Sequence, residues 1–522
     1  MTKKSIAVVD PMWTGRFFVR AIHESGFRPV VIFPMIDNER IANEDYALAK
    51  EYTDKYNPIY LNESDGFDEL VRKLKELDTF AVACGCELGV PLTDKLAKAI
   101  GAPGNSASTT DFRRDKSLMQ AALKKNNVRH IRSRQITTSA EAVEFADEIG
   151  NYPIVLKPIL SSGSDGLHFC RNKGELEKWT GNMLGQKNWS GGINRELLVQ
   201  EYISGTEYIV NCISRNGIHV MTDMWVYNKV PVGDSGICYD SIRLIRKPDE
   251  RCRKMVEYIY QALTALGFEY GPSHSELFWD ENGPVLVETG ARPMGGYMNE
   301  DILTEAVGHY LADTALISYI DADKFKTLLG KAYTPPKDLM EKYFITPRHE
   351  KLKSIPAMQL LRKLRSVREI KIRDAIERYN TEKTVDYFSS PGFVLLCHED
   401  SEVLMGDYRL IRDLEEKYPI LLFEGGGGEL YAGSENNHPM VFDKTDEGYR
   451  YNGEGIVMNL ETAFFELNRL IEKMDKGECL RITENGIKAL GISSDAAKMA
   501  LQILGLAITN SEAGGELSFT SQ

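Results

Sequence analysis

The sequence predicts a multidomain protein that combines the α/β and α+β fold classes. Its 522 residues exceed what one hydrophobic core holds, so we expect three or four domains. Strand and helix patterns alternate over residues 1–105, which indicates an α/β domain. Much later, at Gly271–Gly296, two strand patterns flank a short polar turn, which indicates an antiparallel hairpin.

The first 105 residues match an open α/β sheet element by element. Buried strands are predicted at Ile6–Val9, Val30–Phe33 and Phe80–Cys84, and an amphipathic helix at Thr14–Ser25. The turn after the first strand has one glycine where a dinucleotide fingerprint needs three. This disfavours phosphate binding at that turn and a nicotinamide-dependent oxidoreductase. Gly85–Gly89 lies at the carboxyl end of a later strand, where ligands of such sheets gather.

A change of composition near residue 106 marks a second domain. A helix is predicted at Asp111–Asn126, and it carries Lys116. A strand then leads through Lys157 into a small loop, Ser161–Gly166. The hydroxyl and backbone N–H groups of such a loop can cover phosphate oxygens, and Lys157 offers a positive charge. The loop lacks the Walker pattern, and a plain hairpin turn is the alternative interpretation.

Further segments offer groups for a nucleotide and a second substrate. The backbone of Gln200–Ile203 can read an adenine edge, and Glu207 can accept hydrogen bonds from ribose hydroxyls. The Gly- and Asp-rich stretch Val226–Ile242 is interpreted as a loop. It either borders an acceptor site or is a plain surface connection. A helix at Asp249–Leu266 then leads into the hairpin.

The hairpin carries a pair of acidic residues. Its strands are predicted at Ser273–Trp279 and Val285–Thr289. Glu276 and Glu288 each lie six residues from Asn282 in the turn, so folding brings their carboxylates together. Like charges at this spacing repel unless a cation lies between them, and two oxygen ligands suit Mg²⁺ on a phosphate chain. A solvated hairpin with an acidic edge is the alternative.

The C-terminal third of the chain predicts a further α+β domain. Strands are expected at Val367–Ile370 and Phe393–Cys397, and helices at Asp407–Glu416 and Ile456–Met474. The sequence contains no repeat and no second close pair of cysteines beside Cys84 and Cys86. We therefore expect the eight cysteines to be buried free thiols rather than zinc ligands.

Charge and hydropathy exclude several classes of partner. The net charge of −13 leaves no basic excess to neutralise nucleic acid or an anionic membrane. No apolar run reaches about 18 residues, and the N-terminus carries no signal-peptide core. We expect a cytoplasmic protein that acts on small molecules, without nucleic acid or membrane as partners. A homodimer is left open.

Taken in order, the two lysines, the Ser/Gly loop, the acidic strand residues and Arg292 resemble the ATP-grasp superfamily. Within it, the chain looks most like L-amino acid ligases of the bacilysin-synthetase type, through the patterns His274-Ser275-Glu276 and Glu288-x-x-Ala291-Arg292. The resemblance implies a Rossmann-like pre-ATP-grasp domain at 1–105 and a two-lobed ATP-grasp domain at 106–328. The small lobe would cover about 151–203, and a C-terminal α+β domain would cover 329–522.

The resemblance also implies ligand-binding roles. ATP would be bound by Lys116, Lys157, Ser161, Ser162, Gly163, Ser164, Gln200, Glu201, Tyr202, Ile203 and Glu207. Two Mg²⁺ ions, with Mn²⁺ as a substitute, would be held by Glu276 and Glu288. The catalytic residues would be Arg292, His274 and Lys157, and the substrate-binding residues His274, Arg292, Gly295 and Tyr239. Many members have a metal-binding Asn at position 290, where this chain has glycine, and water or Asn299 would replace that ligand.

The implied reaction is ATP-dependent formation of an amide or peptide bond, with amino acids as the expected carboxylate and amine. It would proceed through an acyl phosphate and release ADP and phosphate. One alternative is another ATP-grasp chemistry, namely a carboxylase or a nucleotide-precursor synthetase. A second alternative is a non-catalytic ATP-binding sensor.

Overall fold

A computed structural model of the chain describes most of the first 346 residues and shorter stretches after them. The described residues are 4–36, 41–159, 166–187, 192–232, 236–296, 299–346, 352–354, 361–362, 364–372, 384, 389–417, 422–423, 442–445, 448–451, 457–458, 481–483, 506–510 and 516–521. The chain divides into two compact units, Met1–Ile237 with Ile242–Pro336, and Cys238–Ser241 with Lys337–Gln522.

Helices and strands alternate along the first unit. The helices are α1 (Phe17–Glu24), α2 (Tyr46–Thr53), α3 (Phe67–Glu76), α4 (Val90–Ile100), α5 (Lys116–Lys125), α6 (Ser139–Ile149), α7 (Lys173–Met183), α8 (Glu250–Ala265), α9 (Glu300–Val307), α10 (Leu311–Ile320) and α11 (Ala322–Leu328). The strands are β1 (Ser5–Val9), β2 (Arg28–Phe33), β3 (Ile59–Asn62), β4 (Thr79–Cys84), β5 (Ser133–Ile136), β6 (Ile154–Pro158), β7 (His168–Cys170), β8 (Leu197–Glu201), β9 (Thr206–Arg215), β10 (Ile218–Val232), β11 (Gly236–Leu244), β12 (Tyr270–Asp280) and β13 (Gly283–Gly290).

The N-terminal region is a parallel sheet with the strand order β3-β2-β1-β4. Buried side chains of α3 and α4, such as Leu70 and Leu96, pack against the apolar residues of the sheet. The predicted strands of this region are confirmed. The predicted helix at Thr14–Ser25 begins as a 3₁₀ turn, Trp13–Arg16, and continues as α1.

A smaller antiparallel sheet with the order β5-β8-β6-β7 carries α6 and α7. Helix α6 begins with a capping box, in which Thr138 accepts from the backbone N–H of Glu141 and the Glu141 carboxylate accepts from the backbone of Thr138. Phe145, Leu156 and Leu176 belong to a separate apolar core in this lobe. The central strands β6 and β8 therefore form a firm base for the residues they carry.

The other sheet of the first unit has strand neighbours in the order β13-β12-β9-β10-β11. One face, which includes Val210 and Leu277, packs on the buried side of α8. Successive side chains of a strand point to opposite faces, so Asn211 and Glu276 lie on the other face. The alternation thus separates an apolar core from a polar face on which the candidate residues lie.

The predicted loop at Val226–Ile242 is wrong. The structure shows two long strands there, β10 and β11, on either side of residues 233–235. The Gly- and Asp-rich composition that suggested a loop belongs to the connection, whereas the flanking residues alternate as strands do. The helix predicted at Ile456–Met474 is also wrong at its start, because Val457–Met458 is a strand; residues 459–474 lie outside the described residues.

The second unit contains short strands and a long α-helix. Its strands are β14 (Asp338–Tyr343), β15 (Leu352–Ser354), β16 (Val367–Ile372), β17 (Gly392–His398), β18 (Leu422–Phe423), β19 (Phe442–Thr445), β20 (Gly448–Tyr451), β21 (Val457–Met458), β22 (Arg481–Thr483), β23 (Leu506–Asn510) and β24 (Glu516–Ser521). Helix α12 covers Ser401–Lys417. The predicted strands that became β16 and β17 are confirmed, as is the helix within α12.

Buried charges in the second unit neutralise one another. Lys342 is fully buried, and its ammonium lies 2.7 Å from Glu415 and 3.1 Å from Asp240. Arg412 lies 3.0 Å from the same oxygen of Asp240. A buried charge is costly unless it is paired, so this cluster is a local structural requirement of the unit.

Two expectations from composition can be compared with the described residues. Seven of the eight cysteines lie in the described part of the chain, and all seven are buried free thiols, as predicted. Within that part, no helix combines the length and apolar character needed to cross a bilayer.

Arg113 should be essential for the stability of the first unit. It is fully buried, and its guanidinium bonds to Asp94 (2.8 Å) and to the carbonyl of Leu266 (3.0 Å). Arg113→Leu should lower the free energy of unfolding by roughly 3–5 kcal/mol, because Asp94 would keep a buried charge without its partner. The matched control is Arg72→Leu, because the ion pairs of this exposed arginine contribute little to stability. Urea unfolding followed by circular dichroism measures both, and equal losses would contradict the prediction.

Candidate active site

The two glutamates of the hairpin lie directly opposite one another. In the antiparallel ladder between β12 and β13, Glu276 pairs with Glu288 and His274 pairs with Gly290. The register shifts between Glu276 and Leu277, an irregularity of the kind that re-aims side chains beside active sites. The prediction that the turn brings the two acidic residues together is confirmed.

Basic and hydrogen-bonding groups surround these carboxylates. The ammonium of Lys116, in the first turn of α5, lies 2.9 Å from Glu288 Oε2. Tyr227 donates a 2.7 Å hydrogen bond to Glu276 Oε1, and His274 Nε2 lies 3.3 Å from the same oxygen. Burial opposes ionisation of Glu276, but the hydrogen bond and charge of His274 outweigh it and lower the pKa to about 2. Glu276 is therefore ionised at neutral pH.

A third carboxylate, that of Glu207 on β9, is also buried. Burial raises its pKa, and the ammonium of Lys229 opposes this effect from 2.6 Å. Tyr227 and Lys229 are site residues that the sequence analysis missed. They lie two residues apart on β10, and this spacing on one strand face was the available signal.

Lys157 lies on the central strand β6 and is 7% exposed. Burial has the largest effect on its pKa and the positive charge of Lys116 the second largest, and together they lower the pKa to about 8. It forms no ion pair with any residue that the structure describes. Because an unpaired buried ammonium is costly, Lys157 is suited to an anionic ligand. The loop residues Ser161, Ser162, Gly163 and Ser164 lie outside the described residues.

The predicted base-binding segment ends strand β8. Gln200 is 2% exposed, and within the described structure its Nε2 has no hydrogen-bond partner. The carboxylate of Glu201 accepts from the backbone N–H (2.8 Å) and the Nε (2.7 Å) of Arg132. Tyr202 is exposed and Ile203 is half-buried. A buried amide donor followed by accessible apolar surface suits a heteroaromatic base with acceptor nitrogens.

Arg292 is held by a residue that the sequence analysis did not assign to the site. Its Nε lies 2.8 Å from Glu87 Oε2, and the other oxygen of Glu87 pairs with Arg114. Burial opposes ionisation of Glu87, but the two arginines lower its pKa to about 2. Glu87 follows β4, at the carboxyl end where a ligand was expected. These three residues carry one net positive charge, which suits a carboxylate or phosphate.

The glycine at position 290 is explained by the same ion pair. A Cβ atom there would lie 2.7 Å from Glu87 Oε2 and 3.4 Å from Arg292 Nε. Glu87 therefore occupies the space that an asparagine would need. Asn299, the predicted replacement ligand, caps α9 instead, because its Oδ1 accepts from the backbone of Asp301 (3.1 Å) and Ile302 (3.2 Å).

Two further predicted substrate residues lie in different units. Gly295 is near Arg292, because a Cβ atom at Gly295 would be 3.8 Å from Arg292 Nη1. Tyr239 belongs to the second unit, where it is buried and packs its ring edge-on against Tyr343, with 6.2 Å between the ring centroids. A role of Tyr239 in substrate binding stays a prediction.

The two carboxylates of the hairpin offer oxygen ligands for a metal ion. Glutamate oxygens suit Mg²⁺ or Mn²⁺. In the described part of the chain, no three His, Cys, Asp or Glu residues form a group that could hold a metal ion. Glu276 and Glu288 would thus need oxygens from a bound molecule, and the nearby Lys116 and Lys157 are suited to phosphate.

Residues 150–301 match a family model described as the ATP-grasp domain. The chain carries an ATP-grasp domain. This match covers strands β6 to β13 and so includes Lys157, Glu276 and Glu288. It confirms the resemblance drawn from the ordered residues. ATP-grasp domains use ATP and a divalent metal ion, which agrees with the charges found here.

Similar proteins extend beyond the ATP-grasp domain itself. Dapdiamide A synthase of Enterobacter agglomerans is 26% identical over 420 residues, which are 80% of this chain and 97% of that protein. An L-amino acid ligase from Bacillus licheniformis has a TM-score of 0.60 at 18% identity, over 79% of this chain and 98% of that one. Phosphoribosylglycinamide synthetase from Anaerococcus prevotii has a TM-score of 0.55 at 15% identity, over 78% and 98%. The predicted multidomain ATP-grasp fold is therefore confirmed.

The pKa of Lys157 predicts a pH dependence of ATP binding. Phosphate stabilises the ammonium form, so binding takes up a proton once the pH exceeds the free pKa of about 8. Above that pH, affinity for ATP should fall by up to tenfold per pH unit, roughly, as the ammonium is lost. Lys157→Arg keeps its charge and should show a flat profile. Calorimetric titrations across this range measure both proteins, and equal slopes would contradict the prediction.

The close packing at Gly290 predicts coupling with Glu87. Gly290→Ala should separate Glu87 from Arg292 and slow ATP turnover on the order of 10²-fold, as small misplacements of a binding group do. Glu87→Ala removes the clash, so the double variant should be no slower than Glu87→Ala alone. Phosphate release by the four proteins gives the comparison, and simple addition of the two losses would count against it.

Proposed function

We propose that this ATP-grasp protein is a carboxylate–amine ligase that forms an amide or peptide bond and releases ADP and phosphate. The observation that carries the proposal is the buried, unpaired ammonium of Lys157 beside Lys116 and the paired residues Glu276 and Glu288. Such a set suits the phosphates of ATP on one side and their metal ions on the other.

The metal ions would bind between the hairpin and the phosphates. Glu276 and Glu288 would hold two Mg²⁺ ions, with Mn²⁺ as a substitute. These ions would supply charge neutralisation on the transferred phosphoryl group. Lys116, now 2.9 Å from Glu288, would bind a phosphate oxygen together with Lys157. The Ser161–Gly166 loop would cover the γ-phosphate and exclude water.

The rest of ATP would lie along β8 and β9. The orphan amide of Gln200 and the backbone near Ile203 would bind adenine. Glu207 would accept from the ribose hydroxyls, with Lys229 holding its carboxylate in place. Tyr227 would keep Glu276 oriented toward the metal through its 2.7 Å hydrogen bond.

The reaction would proceed in two steps. A substrate carboxylate oxygen attacks the γ-phosphorus, the bond to ADP breaks, and an acyl phosphate forms. The amine nitrogen then attacks the acyl carbon, the carbon–oxygen bond to phosphate breaks, and the amine loses its surplus protons. Catalysis would come from positioning and charge neutralisation.

The carboxylate substrate would bind beside Arg292. The one net positive charge of Arg292, Arg114 and Glu87 suits its carboxylate or the developing phosphate charge. The names of two similar proteins, an L-amino acid ligase and dapdiamide A synthase, support amino acids as substrates and an amide as product.

The reaction can be tested with ATP, Mg²⁺ and pooled amino acids. We expect ADP and free phosphate, formed only when a carboxylate and an amine are both present, and a product with the mass of an amide. Phosphate release and mass spectrometry measure these quantities. ADP formed only with bicarbonate would indicate a carboxylase instead. AMP with pyrophosphate would contradict the acyl-phosphate route, and binding of ATP without turnover would indicate a sensor.

The metal-binding role of the hairpin can be tested by Glu288→Gln. This change keeps the shape of the side chain but removes a negative charge, so Mg²⁺-dependent turnover should fall on the order of 10²-fold or more. Glu281→Gln makes the same change on the exposed turn of the hairpin and is the matched control. Circular dichroism should show both folded. Unfolding of Glu288→Gln alone would identify Glu288 as a structural residue.

A further inference from the structure

A row of hydrogen-bonded side chains crosses three strands behind the active site. His274 on β12 lies opposite Asn211 on β9, and Asn211 lies opposite Asp223 on β10. His274 Nδ1 is 2.8 Å from Asn211 Oδ1, and Asn211 Nδ2 donates to Asp223 Oδ1 at 2.5 Å. The indole of Trp225 donates to the same oxygen at 2.5 Å. All four residues are buried.

The chemistry of these groups determines the direction of each hydrogen bond. An indole N–H can only donate, so Asp223 Oδ1 accepts in this row. The amide nitrogen of Asn211 must then face Asp223, which leaves its carbonyl oxygen facing His274. A carbonyl oxygen can only accept, so the hydrogen of the imidazole must be on Nδ1.

We propose that Asn211 and Asp223 are positioning residues that hold His274 with its hydrogen on Nδ1 and its Nε2 toward the substrates. Nε2 lies 3.3 Å from Glu276 Oε1, so it faces the carboxylates proposed to bind metal. With Nδ1 committed to Asn211, the ring keeps one orientation, and its Nε2 edge is held beside these carboxylates, where it contacts the attacking amine. This role rests on the proposed ligase function, whereas the ring tautomer does not.

The arrangement differs from ordinary core packing. The carboxylate of Asp223 accepts hydrogen bonds from three side chains, since Thr222 also donates to Oδ2 at 2.8 Å. Burying a carboxylate is costly even when hydrogen bonds compensate it, and apolar residues of similar volume would often pack there at lower cost. The same logic holds in metal sites, where carboxylates behind a histidine fix its tautomer and ring orientation.

The tautomer can be read directly by long-range ¹H–¹⁵N spectra of the full chain labelled with ¹⁵N-histidine. The chain has nine histidines, and the spectrum of His274→Gln identifies the signal of His274 by its absence. We expect the wild-type ring to carry hydrogen on Nδ1. A wild-type signal with hydrogen on Nε2 alone would overturn the proposal.

Two variants separate positioning from general stability. Asn211→Ala should release the ring from the fixed tautomer and lower kcat about 10- to 100-fold, with KM for ATP within about twofold. Asp223→Asn preserves an oxygen that accepts from Trp225 and Asn211, so this variant should keep both the tautomer and most of the activity. It tests the network independently of whether Asn211→Ala is stable. Lost activity in Asn211→Ala with an unchanged tautomer would overturn the proposal.

The control within the same network is Thr222→Val, which removes hydrogen bonds to Asp223 and to the backbone carbonyl of Asn211 but none to His274. We expect the wild-type tautomer and activity within about twofold, as for a change that leaves the ligand-orienting bonds in place. A Thr222→Val variant that loses the tautomer would contradict the assignment of Asn211 as the residue that sets it. Failure of the wild type to form any amide, with the hydrogen still on Nδ1, would contradict the ligase function and support the tautomer.

Discussion

Repulsion between two glutamates is the constraint on which the active site depends. The hairpin register places Glu276 opposite Glu288, and Glu207 adds a third carboxylate from the next strand. Lys116 and Lys229 pair with two of the three, while Tyr227 and His274 bond to Glu276. Lys157, in contrast, forms no ion pair with a carboxylate in the described structure. Positive charge for an incoming polyanion is therefore available without breaking an existing ion pair.

Rigid elements from separate parts of the first unit bring these charges together. Lys157 comes from the centre of the small antiparallel sheet, Lys116 from the first turn of a capped helix, and the glutamates from the larger sheet. Strands and helices position side chains more firmly than loops do, which favours a preorganised site.

Local patterns made much of this arrangement predictable, and distant contacts did not. The opposition of Glu276 and Glu288 follows from counting residues around a turn, and the order of the lysines and glutamates indicated the family. The Glu87–Arg292 contact joins residues 205 positions apart, and no periodicity reports such a pairing. Tyr227 and Lys229 were missed because glycines and aspartates after them favoured a loop, although their strand continues to Val232. Tertiary pairing, rather than local propensity, determined those positions.

The contact between Glu87 and Arg292 has a consequence for how such chains can recombine. Glu87 follows strand β4 of the N-terminal parallel sheet, outside the segment 150–301 that matches the domain family, yet it holds an arginine inside that segment. An N-terminal domain exchanged from a relative would bring its own residue to this position. An exchanged domain without a carboxylate at position 87 would leave Arg292 without its ion-pair partner. An exchanged domain that has this carboxylate would clash with an asparagine at position 290. The residues at positions 87 and 290 should therefore change together, because each restricts which residue the other domain can carry.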